Sequence, residues 1–297
     1  MFDKKKVFIG IAPIGWTNDD IPELGKEITF EQCLSEMALE RYKGCEIGNK
    51  FPQDVDRLKK ELRLRNLKVA NRWFSSFLLT EPYEEVEKKF IENCKFLKSV
   101  RAKTIGVSEQ SHSIQKLSVP VFDAKYEMNN EEWTILCEGL NKLSDVAAKY
   151  GITLTYHHHM GTVVQTVDEI DRLMKNTDEN KVFLLYDSGH LAYCGEDYIA
   201  ILERYVKRIK HVHLKDIRPD VIRKVKENRL SFLDGVKQGT FTVPGDGSID
   251  FHSIFEILSK NDYSGWLLVE AEQDPAQANP LEYAKKARKY IRKIAKL

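Results

Sequence analysis

Several things are scarce in this 297-residue sequence, and each scarcity narrows the reading. No apolar run approaches the length needed to span a bilayer, so an integral membrane protein is not expected. The opening MFDKKKVFIGIAP has a basic run and a short apolar stretch that Pro13 ends, too short for a signal-peptide core, and a cytoplasmic protein is expected. Five cysteines (Cys33, Cys45, Cys94, Cys137, Cys194) are scattered, odd in number and never in a CxxC pair, which fits reduced thiols and argues against a disulfide or zinc-ribbon framework. Net charge is nearly absent: 46 Lys and Arg face 45 Asp and Glu, so no global field would gather nucleic acid, and no membrane partner is expected. The first candidate strand is not followed by a glycine-rich dinucleotide fingerprint. Low-complexity tracts, linker-like stretches and repeats are also missing, so one domain over 1–297 is expected.

What is present is an alternation. Short β-branched or apolar runs take turns with longer amphipathic segments from end to end, the pattern of repeated strand-helix units. Candidate strands are Val7–Ala12, Gly44–Ile47, Lys68–Trp73, Thr104–Ser108, Thr153–His157, Val182–Asp187, Ile209–Leu214 and Trp266–Glu270. The clearest helix is Glu131–Tyr150, where Trp133, Leu136, Leu140, Leu143, Ala147 and Tyr150 recur at spacings of three and four; another runs near Leu281–Ala295. Eight strand-helix units suit an α/β fold closed as a (β/α)8 TIM barrel better than an open doubly wound sheet. Two long connections are expected near 110–130 and 218–250, both after a strand's carboxyl end, where barrel active sites are built.

Ionisable residues gather where apolar runs meet loops. Glu46 ends the second strand, Asn71-Arg72-Trp73 the third, Ser108-Glu109-Gln110 the fourth and His157-His158-His159 the fifth. Asp187-Ser188-Gly189-His190 follows the sixth, His211-Val212-His213-Leu214-Lys215-Asp216 spans the seventh, and Glu270-Ala271-Glu272 ends the eighth. A barrel converges these on one mouth. Two imidazoles and two carboxylates from four strands make an N2O2 set suited to Mn²⁺, Co²⁺, Fe²⁺ or Zn²⁺ rather than Ca²⁺. Alternation puts His157 and His159 on one face of their strand and His211 and His213 on one face of theirs. Each motif has a plain structural reading beside the chemical one. Asp187 suits a helix N-cap, Lys215-Asp216 a solvated pair, and Pro244-Gly245-Asp246-Gly247 a simple turn. Glu270 follows an apolar run, where an unpartnered carboxylate is costly, so a metal or a basic partner is expected beside it, with Glu272 as its rival.

Taken in order, IGIAPIGWTNDDIPELG, GCEIGNKFP, VANRWFSS, YHHHMGT, YDSGHLAY, HVHLKD, TFTVPGDGSIDF and GWLLVEAEQDP resemble the xylose-isomerase-like barrel superfamily, and within it the inosose dehydratase family of myo-inositol catabolism. The match covers nearly the whole chain. The resemblance implies one divalent ion, Mn²⁺ or Co²⁺, held by Asp187, His213 and Glu270 and by a residue of strand five. Many relatives carry Glu there in a run like GVKLALE; in GITLTYH this chain carries His157, with His159 as the alternative. It further implies a keto-inositol substrate dehydrated to a trihydroxycyclohexane-1,2-dione, and a glutathione requirement for which no site is visible in the sequence. Acid–base candidates are Glu46, His190 and Lys215; Asn71, Arg72, Trp73 and Glu109 are candidates for holding the polyol. A metal-dependent ketose isomerase or epimerase is the nearest rival, and a homo-oligomer stays open.

Overall fold

The computed structural model describes residues 2–297. Eight strands close into a parallel barrel: β1 (Val7–Ile11), β2 (Gly44–Ile47), β3 (Lys68–Ser76), β4 (Thr104–Glu109), β5 (Thr153–His157), β6 (Phe183–Asp187), β7 (Ile209–Leu214) and β10 (Gly265–Val269), neighbouring in the order β1-β10-β7-β6-β5-β4-β3-β2. Helices lie between consecutive strands and cover the barrel. The strands are buried on both faces because the helices pack outside and side chains fill the inside, which is why they read as apolar runs rather than strict alternation. The sequence-derived strands coincide with these to within a residue or two, except that β3 runs on to Ser76.

Local signals set the helix starts. Asn129 and Glu132 form a reciprocal capping box at the head of Asn130–Lys149, and Thr166 with Glu169 does the same for Val167–Asn176. The lower barrel interior is filled by Trp266 and Leu268, which need room opposite them. Gly44 supplies it: a Cβ there would lie 2.4 Å from the Lys68 carbonyl oxygen and 2.5 Å from the Trp266 ring, so only glycine fits.

The two long connections differ. The segment after β4 carries no helix or strand until Asn130, yet Ile114 and Val121 anchor it, their N–H groups donating to the carbonyls of Gly161 and Leu230. The segment after β7, expected as a loop, holds the helices Pro219–Glu227 and Phe232–Lys237 and an antiparallel ribbon of β8 (Asp216–Ile217) and β9 (Phe241–Thr242). Asp216 organises it. Its buried carboxylate accepts from the backbone N–H groups of Gly245, Gly247 and Ile249, so Asp216 is an internal clamp on the PGDGSID turn and the plain reading of Lys215-Asp216 as a solvated pair falls away. At Gly247 a Cβ would sit 2.3 Å from the Ile217 carbonyl oxygen, which fixes glycine at that point of the turn.

Candidate metal centre and active-site cavity

A cavity of about 380 Å³ opens at the carboxyl ends of the strands, with Glu46, Asn71, Trp73, His157, His213 and Glu270 in its wall. Parallel strands closed into a barrel all end at the same mouth, so residues far apart in sequence meet here.

The donor atoms converge on the carboxylate of Asp187. His157 Nε2 lies 3.3 Å and His213 Nδ1 3.4 Å from Asp187 Oδ2, and Glu270 Oε2 closes against His213 Nδ1. Neither His213 Nδ1 nor Glu270 Oε2 makes a hydrogen bond, although both are buried. Buried polar atoms without partners are rare and call for an occupant. Asp187 also caps the helix Ser188–Cys194, its Oδ1 accepting from His190 N at 2.9 Å. One oxygen of this carboxylate thus caps the helix, and the other faces His157 and His213.

Glu46 decides how His213 presents itself. Glu46 Oε1 lies 2.9 Å from His213 Nε2 and accepts from Asn71 Nδ2 at 2.8 Å. Burial opposes charge on Glu46, but His213 and His211 outweigh it and hold the carboxyl well below its ordinary range. An ionised carboxylate only accepts, so the imidazole hydrogen sits on Nε2 and Nδ1 can offer its lone pair to an ion. Burial likewise opposes charge on His213, yet Glu270 and Glu46 together raise its pKa well above the usual histidine range: the carboxylates around it demand a positive charge. His157, Asp187 and His213 offer ligand atoms close enough to share one ion, Glu270 adjoins them at His213, and this N2O2 set fits a first-row divalent ion.

His159 belongs elsewhere. Its Nδ1 is 2.9 Å from both Gln115 Nε2 and the Met160 carbonyl oxygen, and its ring lies against His190 at 3.5 Å between centroids. His157, not His159, is thus the strand-five imidazole beside Asp187. His158 points outward, accepting the Asp187 N–H at 3.3 Å. Burial, with the charge of His157 added, pushes its pKa down to about 3, so it stays neutral.

Three other candidates fall in unexpected places. Lys215 and His190 are fully buried and lie behind the cavity wall: Lys215 Nζ donates to His190 Nε2 and to Glu272 Oε1, each at 2.8 Å. Glu272 is the member of this chain that reaches the cavity. Burial raises its carboxyl to about 7 against the pull of Lys215. Glu109 is turned into the wall, where its carboxylate accepts from Ser76 Oγ and from the backbone of Leu78 and Ser111, so as a polyol ligand it is a correction. Arg72 also lines the cavity, while its guanidinium stacks on Phe96 of the covering helix Tyr83–Ser99 at 4.8 Å. Asn71 and Trp73 face the cavity on either side of it, as strand alternation requires.

Loop residues complete the wall, and the strand-end pattern gave no sign of them. Asp19, Asp20, Gln115 and Lys116 line the mouth. Lys116 Nζ reaches Asp20 Oδ1 at 2.9 Å, joining the loop after β1 to the loop after β4. Asp19 accepts from the Asn49 N–H and is pushed up to about 6 by burial.

A closed parallel barrel with a nitrogen-and-oxygen donor set at its carboxyl-terminal mouth defines a class, and the family model described as xylose isomerase-like TIM barrel matches residues 35–294. Among solved structures, a zinc-bound IOLI protein superposes with a TM-score of 0.72 at 18% identity, covering 97% of this chain and 98% of that one. An L-ribulose 3-epimerase gives 0.70 at 16% identity, covering 98% and 95%. Curated relatives are far nearer in sequence. Inosose dehydratase of Clostridium botulinum (strain Alaska E43 / Type E3) is 62% identical over 100% of both chains, and that of Clostridium perfringens (strain 13 / Type A) 63% identical over 98% of both. The enzyme of that name from Geobacillus thermodenitrificans is 57% identical over 100% of both chains. The chain belongs to the inosose dehydratase family.

Proposed function

We propose that this protein is a hydro-lyase that removes water from 2-keto-myo-inositol, giving a trihydroxycyclohexane-1,2-dione in myo-inositol catabolism. The observation that carries the reading is the convergence of His157, Asp187, His213 and Glu270 at the base of a polar cavity, in a chain more than half identical to inosose dehydratases along its whole length. Those four residues are the ones we assign to the ion, with Mn²⁺ or Co²⁺ expected. When bound, the ion supplies Lewis-acid charge at the substrate ketone and so favours loss of the neighbouring proton.

The protein's own groups do the rest. Asn71 and Trp73 offer an amide and an aromatic face to the polyol, and Gln115 and Lys116 close over it from the loop side. Glu46 keeps His213 in one orientation through Nε2. Burial penalises the ammonium of Lys215, but Glu270 and Glu272 outweigh it and hold the pKa far above its ordinary value, so Lys215 does not release a proton near neutral pH. It and His190 instead act through Glu272, the carboxyl that faces the substrate. We assign to Glu272 both the removal of the α-proton and its delivery to the departing β-hydroxyl, which leaves as water; tautomerisation of the enol then gives the dione. Five unpaired thiols support a cytoplasmic setting. Among the described residues no helix is long and apolar enough to cross a membrane.

The test is turnover of scyllo-inosose by metal-stripped protein with Mn²⁺ or Co²⁺ restored, with and without glutathione, the product followed by mass spectrometry. A metal-dependent product lighter by one water is expected. Interconversion of ketose isomers without loss of water would replace this reading by the epimerase one.

A further inference from the structure

His159, His190 and Glu272 form a second group whose ligand atoms lie close enough to share one ion, yet the assigned donors lie next to it rather than in it. Two of its three members meet the ammonium of Lys215, which lies 2.8 Å from both His190 Nε2 and Glu272 Oε1. The same nitrogen stands 3.6 Å from Glu270 Oε1 and 3.7 Å from Asp187 Oδ2. Glu270 therefore presents one oxygen to each group: Oε2 toward His213 in the first, Oε1 toward Lys215 in the second. A carboxylate shared in this way, with imidazole and carboxylate donors on both sides, is the arrangement of a two-ion centre.

We propose that Lys215 is a tethered substitute for a second divalent cation: its ammonium occupies the position that the His159–His190–Glu272 group would otherwise give to a metal ion, so the protein works with one ion where its donors could hold two. The inference rests on the assignment of the first ion to His157, Asp187, His213 and Glu270. Two further observations fit it. His190 Nε2 accepts from an ammonium, which puts its hydrogen on Nδ1 and aims a lone pair at the cation, as a metal-bound imidazole would. Lys215 is entirely buried with Phe241 stacked over its charge at 4.5 Å, a lining that keeps water from replacing it. The exchange has a chemical consequence. A fixed ammonium beside Glu270 places a second positive charge next to the reacting centre without a second, separately dissociating ion.

Metal content decides the matter. Apo wild type, Lys215→Ala, Lys215→Ala/His190→Ala and Lys215→Arg are titrated with Co²⁺, and bound metal is counted after desalting, with the visible Co²⁺ spectrum recorded alongside. Lys215→Ala is expected to bind one equivalent more than wild type, the double variant to lose that equivalent again, and Lys215→Arg to match wild type. A folded Lys215→Ala protein with no additional equivalent overturns the proposal. The comparison is made against wild type, so a failure of the first-site assignment appears separately, as wild type binding no Co²⁺. Should Lys215→Ala not fold, Lys215→Met gives the second readout. An ammonium that competes for Glu270 and Asp187 predicts first-site affinity at least tenfold tighter in Lys215→Met, whereas a merely structural lysine predicts equal or weaker affinity and overturns the proposal.

Discussion

The two halves of the cavity wall are built differently. On one side, the four residues proposed to hold the ion sit at or just beyond the ends of β5, β6, β7 and β10, are buried, and lock one another through Glu46, Asn71 and the helix cap at Asp187. On the other, Asp19, Asp20 and Lys116 ride on loops, are half-buried or exposed, and meet through a single ion pair whose lysine is 68% exposed. The strand-borne side is a fixed template and the loop-borne side an adjustable cover. Donors that must be held to fractions of an ångström are placed on the barrel, and the polyol would be met from both sides, by Asn71 and Trp73 of β3 and by Gln115 and Lys116 of the loop.

That division makes graded predictions. Asp187→Asn keeps a helix-capping oxygen but removes the charge shared by His157 and His213. Activity should fall at least about a thousandfold with bound metal lost, roughly the effect of removing a central electrostatic group; retention of both in a folded protein would put the ion elsewhere. Glu46→Gln leaves the four donors in place but loosens the hold on His213, along with the contacts to Asn71 and His211, so metal affinity should weaken by about 10- to 100-fold, as outer-shell partners of metal-bound histidines usually do. An unchanged dissociation constant by isothermal titration would dissolve the proposed link.

The loop side should respond through stability and access instead. The Asp19 carboxyl is raised from 3.8 to about 6 by burial. A raised carboxyl favours the folded state at low pH, and that contribution is lost as pH rises from about 4 through 6, so at neutral pH the ionised group weighs against folding. Asp19→Asn should therefore raise the melting temperature at pH 7.5 and have little effect at pH 4, with an upper bound of about 3 kcal/mol at 1.36 kcal/mol per pKa unit. A lower melting temperature at pH 7.5 would mean the charge is wanted. Lys116→Ala breaks a mostly exposed pair, and such pairs contribute about 0–1 kcal/mol. KM should rise less than about fivefold and bound metal stay the same; a drop in metal content would show that the cover and the template are not separable.

The same division explains what could be read from the sequence. Strand ends were legible because a buried apolar run that stops at an ionisable residue has few explanations, and Glu46, His157, Asp187, His213 and Glu270 all lie at such stops. Glu109 was misplaced although period two was available to correct it: Gly106 and Gln110 line the cavity, and that parity turns Glu109 into the wall. His190 and Lys215 were found, but not their burial, because the depth of a long side chain depends on Phe241 and Glu272, which arrive from distant segments. Asp19, Asp20, Gln115 and Lys116 had no periodic signal, since loops obey none. Asp216 read as solvated because its partners are backbone N–H groups some thirty residues away.

Trp266, seated against Gly44, fills the lower barrel, and the cavity has its doorway at the opposite end, where the strands finish. Substrate, departing water and dione must all pass that doorway in turn, and a dione not yet released blocks the next keto-inositol outright. Product should therefore inhibit as a simple competitor of substrate, and the loops at the mouth, rather than the donors at the floor, would then set how fast one molecule gives way to the next.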